Sequence, residues 1–80
     1  MGNNDIKNRV VKVIAEVLEM NESMINEEAN FIFDLGADSM QSLQLVAGFE
    51  EEFDIEMDED KALEVQTVGD AVTFIAAYLN

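Results

Sequence analysis

The sequence predicts an all-α fold: an antiparallel bundle of three main helices plus one short helix, with a long first loop. Three segments repeat apolar residues at helical spacing. Proline is absent and only four glycines interrupt the chain. Eighty residues suffice for one modest core, so residues 1–80 are expected to form a single domain.

The first helix is expected from about Asp5 to Met20, where Ile6, Val10, Val13 and Val17 share a face flanked by Ile14. The second runs from Ser39 to Phe53, with Ser42, Leu45, Val46, Phe49 and Phe53 as its inward stripe. The third spans Val68 to Leu79 on Val68, Val72, Ile75 and Leu79. Thr67 marks its start, with Asp70 placed as a capping-box partner. A short helix is read around Glu59–Leu63. The long connection Asn21–Asp38 carries Met24, Ile25, Phe31, Ile32, Phe33 and Leu35, enough apolar surface to pin it across the bundle. Phe31 and Leu35 are its expected anchors.

Composition excludes several function classes. With no Cys and no His, disulfides, thiol nucleophiles and zinc sites built on thiolate or imidazole are out. No apolar run approaches the roughly 20 residues that cross a bilayer, and Met1-Gly2-Asn3-Asn4-Asp5 lacks a secretory layout. A soluble, monomeric, cytoplasmic protein is expected, with no membrane partner. Four bases face eighteen acids, for a net charge of −14. Lys7, Arg9 and Lys12 sit beside Asp5 in the first twelve residues; the other seventeen acids share the remainder with Lys61. Nucleic acid is therefore not an expected partner, because binding it needs a basic footprint. A basic protein surface is, since the long-range field steers one in.

The chemistry gathers around Asp34-Leu35-Gly36-Ala37-Asp38-Ser39-Met40. Asp38 can cap the second helix and Gln41, three residues on, can reach back to complete a capping box. Ser39 then occupies the first helical position, its oxygen outside the helix beside unpaired amides. Those donors and the macrodipole favour a phosphate. A serine hydrolase is not in view, since no His is present to activate the hydroxyl. Ser42 is expected to point coreward and Ser23 to lie in the loop. Catalytic residues are therefore not assigned.

At about 100° per residue, Met40, Leu43 and Ala47 fall to one side of the buried arc of the second helix. Gln44 and Glu51 lie beyond them and Glu50 borders them. Two readings stand: Met40 and Leu43 pack under the long loop, or they form a docking strip whose acids set orientation and on-rate. The alternating acids Asp54, Glu56, Asp58 and Asp60 resemble the opening of a calcium loop. Glu59 stands where that loop needs Gly, and Val65 where it needs a bidentate Glu, so no metal site is assigned. Diffuse binding of divalent cations to the acidic surface is expected instead.

Taken together, these features resemble the acyl carrier proteins of type II fatty acid and polyketide synthesis. Leu35-Gly36-Ala37-Asp38-Ser39-Met40 is similar to the family's attachment motif, Leu45-Val46 and Glu50-Glu51-Glu52-Phe53 to the rest of its second helix, and Thr67-Val68 to the start of its last. The resemblance implies a 4′-phosphopantetheine arm on Ser39, attached through a phosphodiester by a separate phosphopantetheinyl transferase. Its thiol would hold acyl groups as thioesters for fatty-acid or related biosynthetic enzymes with basic surfaces. It also implies an acyl pocket, here lined by Leu45, Val46, Phe49, Ala62, Val65 and Ile75, and partner docking through Asp38, Met40, Leu43, Gln44, Ala47, Glu50 and Glu51. Met40 replaces the usual Leu of the motif. Gln41 and Gln44 stand where many fatty-acid carriers have acids, which implies weaker electrostatic docking to standard enzymes and a specialised member. Polyketide or peptide-synthetase cargo, and an acidic helical interaction module with no prosthetic group, are the alternatives.

Overall fold

The first apolar stripe folds as α1, Asn3–Leu18, in a computed structural model that describes residues 3–79. The ends of the expected 1–80 domain, Met1, Gly2 and Asn80, lie outside the described residues. Helix α1 stops before the expected Met20 because Glu19 turns left-handed at φ 54°. The Met20 N–H then returns to the Ala15 carbonyl at 3.1 Å, which closes the helix end. Its start precedes the expected Asp5, since the apolar stripe that reveals it begins only at Ile6. Val11 is buried along with Ile6, Val10, Val13 and Ile14, whereas Val17 is half-buried. The stripe is wide because α1 is packed on two sides.

Those two sides are α2, Ser39–Phe53, and α4, Val68–Leu79. A four-residue helix α3, Glu59–Ala62, and a 3₁₀ turn at Glu22–Met24 complete the order. Among the described residues there is no strand, only an isolated antiparallel bridge between Asn30 and Thr67. The fold is thus the all-α bundle of three main helices and one short one that the stripes predict. Val10, Ile14, Val68 and Ile75 are its most enclosed side chains. Each contributes about 1.5–3 kcal/mol by leaving water.

The long connection is pinned as well as packed. Phe31 N–H donates to the Gln66 carbonyl at 2.9 Å and Val68 N–H to the Ala29 carbonyl at 3.0 Å. Phe31 is buried with Ile25, Ala29 and Ala37, while Leu35, the other expected anchor, is half-buried. Thr67 Oγ1 accepts from Asp70 N–H at 3.1 Å and so caps α4, but the expected capping box is not completed, since the Asp70 side chain takes no bond from Thr67 N–H.

Helix α2 ends where negative charge accumulates, at Glu50-Glu51-Glu52 and its own carbonyls. Arg9 of α1 answers this. Its Nε donates to Glu52 Oε2 at 2.9 Å, its Nη2 donates to the Glu52 carbonyl, and its guanidinium lies 4.4 Å from the Phe53 ring centroid. Lys12 stands 3.8 Å from the other Glu52 oxygen. The hydrogen bond from Arg9 holds the Glu52 carboxyl below its ordinary range, helped by the charges of Lys12 and Arg9 and opposed by partial burial.

A carboxyl depressed on folding stabilises above its unfolded pKa, about 4.3 for Glu, and loses that contribution as pH falls through the folded value. The melting-temperature gap between wild type and Glu52→Gln is therefore expected to be full at neutral pH and to narrow below about pH 4. A gap of constant size across a pH series would contradict the ion pair.

Helices α1 and α2 come close at Gly48, where an added Cβ would lie 2.8 Å from Val13 Cγ1. Alanine improves helix propensity by about 1 kcal/mol, but overpacking against a stiff β-branched side chain costs about 1–3 kcal/mol. Gly48→Ala is expected to destabilise by about 1 kcal/mol in urea unfolding, with Val13→Ala relieving the loss in a double-mutant cycle.

Candidate functional site

The attachment-like motif sits on a loop that hydrogen-bonds to itself. Asn30 Oδ1 accepts from the N–H groups of Ile32 and Phe33 at 2.9 and 3.0 Å, and Asn30 N–H donates to Asp34 Oδ2 at 2.7 Å. The Asn30 carbonyl takes the amides of Asp34 and Leu35, the Ile32 carbonyl that of Gly36, and the Phe31 carbonyl that of Ala37 at 2.8 Å. Gly36 turns the chain at φ 73°, and a Cβ added there would meet nothing within 4 Å. Its requirement for glycine is therefore conformational and not a matter of crowding. Buried Ala37 then fixes the entry to α2.

At that entry the capping box is complete. Asp38 Oδ1 accepts from Gln41 N–H at 2.8 Å, and Gln41 Oε1 accepts from Asp38 N–H at 3.1 Å. Ser39 is the first helical residue and is exposed. Its hydroxyl, and the amides of Ser39 and Met40, have no hydrogen-bond partner among the described residues. One turn on, Ser42 is half-buried and its Oγ donates to the Asp38 carbonyl at 3.0 Å. The coreward expectation for Ser42 is met only in part. Ser23 is exposed in the 3₁₀ turn.

Ser42 also stands at the edge of a half-open cavity of about 330 Å³, within the usual size range of small-molecule pockets. All six expected pocket residues, Leu45, Val46, Phe49, Ala62, Val65 and Ile75, line it. Sequence reasoning did not include Met57, Ala71 or Phe74, which line it too. Ala71 lies three residues beyond Val68 and four before Ile75, so the stripe on α4 carried its signal. Met57 lies in an aperiodic loop and carried none.

On the outer side, Met40 is 69% and Leu43 46% exposed. Neither is packed away under the long loop. Asp38, Gln44, Ala47 and Glu51 are exposed beside them. Glu50 differs: it is half-buried and its Oε2 accepts from the Met57 N–H at 2.8 Å. Two of the four alternating acids have local tasks, Asp54 in left-handed backbone closing α2 and Asp58 accepting from Lys61 N–H to cap α3.

The phosphopantetheine attachment site family matches residues 8–75. The chain is 54% identical over 71 residues to an acyl carrier protein of Caulobacter vibrioides, covering 89% of this chain and 91% of that one. It is 51% identical over 76 residues to an acyl carrier protein of Phenylobacterium zucineum, covering 95% and 96%. A solved structure of a candidate acyl carrier protein of Mycobacterium tuberculosis superposes with a TM-score of 0.84 at 30% identity, over 91% of this chain and 97% of that one. The family's group is a covalently attached 4′-phosphopantetheine, and an exposed, unpartnered hydroxyl beside two open amides fits it. No helix among the described residues is long and apolar enough to cross a membrane. With its match spanning most of its length, the chain belongs to the acyl carrier proteins, phosphopantetheine-bearing carriers that interact with transferases and synthase enzymes.

Proposed function

We propose that Ser39 bears the 4′-phosphopantetheine arm and that residues 1–80 act as one non-catalytic carrier domain. When bound, the group supplies a thiol that holds acyl intermediates as thioesters, chemistry for which a chain without Cys has no side chain of its own. The supporting observation is the pairing of an open serine hydroxyl at the capped start of α2 with an apolar cavity entered one turn further on.

The role of each residue follows from its position. Asp38 and Gln41 hold the helix start, so Ser39 Oγ is presented outward at a fixed point. The amides of Ser39 and Met40 are free to donate to a phosphodiester oxygen. Leu45, Val46, Phe49, Ala62, Val65 and Ile75 shelter the acyl chain from water. Met40, Leu43 and Ala47 offer apolar contact to partner enzymes, with Asp38, Gln44, Glu50 and Glu51 around them. Glu50 contributes there through the α2–α3 loop that it braces. The surplus of acid favours enzymes with basic faces and works against nucleic acid, self-association and membrane surfaces. The carrier is read as a cytoplasmic monomer serving fatty-acid or closely related synthesis. Gln41 and Gln44 thin the charge of its docking face, which favours a dedicated set of partners.

Incubation with coenzyme A and a broad-specificity phosphopantetheinyl transferase is expected to raise the intact mass by one phosphopantetheine unit, and Ser39→Ala to gain nothing. Equal gain in both proteins would move the attachment point elsewhere. Loading of an octanoyl thioester should then shift the NMR resonances of the six cavity residues most. Changes confined to residues outside that set would refute the pocket assignment.

A further inference from the structure

Ile32 and Phe33 stand out from the surface beside this site. Phe33 is 87% exposed and Ile32 61%, and both line the cavity. An aromatic ring so fully in water gives the fold little. Nor can the pair readily turn inward, because the Asn30 side chain holds both of their amides and Asp34 holds the amide of Asn30. The turn is a braced pedestal. It is also close to the attachment point: the Phe31 carbonyl is bonded to Ala37 N–H, only two residues before Ser39.

Charge narrows what can cover it. Asp34 follows Phe33 directly, Asp38 lies at the helix start, and Glu64 lines the same cavity. Lys7 pairs with Glu27, and Arg9 and Lys12 with Glu52. A second copy of this chain, itself at −14, would bring like charge to the patch. An enzyme that carries out chemistry on Ser39 works close to this turn, and one that handles the polyanionic coenzyme A must itself present cationic groups.

We propose that the Ile32–Phe33 turn is a second docking element, seated in an apolar socket edged by Lys or Arg on the transferase that modifies Ser39. This rests on Ser39 being the attachment point. The braced turn lowers the ordering entropy lost on docking, and Phe33 acts as the anchor that fills the socket. Phe33 is a specificity residue and takes no part in the chemistry.

Steady-state modification by a broad-specificity phosphopantetheinyl transferase with coenzyme A, followed by intact mass, tests this on wild type, Phe33→Leu, Phe33→Ser and the Ile32→Ser/Phe33→Ser double variant. Phe33→Ser is expected to raise KM about tenfold, the order set by removing one large apolar anchor, and the double variant at least as much, with kcat within about twofold. Phe33→Leu should recover most of the KM, and melting temperatures should not fall. An unmoved KM would overturn the proposal. So would a loss of kcat in step with melting temperature, which marks a structural role. Wild-type dimers in sedimentation that vanish in the double variant would instead assign the patch to a second copy. If wild type itself gains no mass, the Ser39 assignment falls and this inference with it; normal gain with unchanged KM defeats the turn's role alone.

Discussion

The residue at which α2 begins sets everything the site can do. Asp38 and Gln41 bond reciprocally, and together they leave one register for the helix. In that register Ser39 faces out, Ser42 and Leu45 turn toward the cavity, and Met40 and Leu43 remain in solvent. A start one residue later would leave Ser39 outside the helix as its cap, and its amide and that of Met40 would lose their places in the first turn. The loop before it reinforces the choice, since Gly36 and buried Ala37 deliver the chain to Asp38 from a fixed direction. The buried stripe of Leu45, Phe49 and Phe53 fixes which way α2 faces, and local capping, worth about 1 kcal/mol, fixes where it begins.

The excess of negative charge is the opposing constraint. Net self-repulsion weakens the compact state, and few cations are present to relieve it. Three of the four bases lie on α1, and two of them converge on Glu52 at the far end of α2. There Arg9 meets a carboxylate, a helix-end carbonyl and the face of Phe53 together. One guanidinium thereby ties α1 to α2 at the end opposite the capping box. Among the described residues, the end that carries Ser39 is left with no ion pair for Asp34 or Asp38. A basic partner meets its strongest attraction there.

Much of this was legible in the sequence because it is local or periodic. The stripes on α1, α2 and α4 and both cap signals, at Asp38 and Thr67, follow from spacing alone. Those stripes already hold Leu45, Val46, Phe49 and Ile75 of the cavity wall. What escaped was tertiary. Glu50 reads as a free docking acid until the α2–α3 loop folds back and gives it the Met57 amide. Met57 reads as loop until it is buried. The burial of Val11 reflects packing of α1 on two sides, which no single-helix pattern reveals. Ile32 and Phe33 read as part of the apolar surface that pins the long connection; their exposure goes with Asn30 bonding across the turn.

The cavity itself depends on how α3 is held. Four residues cannot make a helix that packs by its own stripe, and α3 is fastened mainly at its leading edge. The Glu50 carboxylate holds Met57 N–H, and the next amide, that of Asp58, donates to the Tyr78 hydroxyl at 3.0 Å. Met57 supplies the apolar part of the joint. Beyond it, Ala62 is half-buried and Leu63 46% exposed, so this wall leans on the bundle without sealing it. Directional bonds at one edge position the wall, and the small side chains of Ser42, Ala62 and Ala71 leave the space behind it unfilled. Filling that space with larger apolar groups would strengthen the core. The fold gives up that increment of stability, and what it keeps is an apolar recess that reaches Ser42, one helical turn from Ser39.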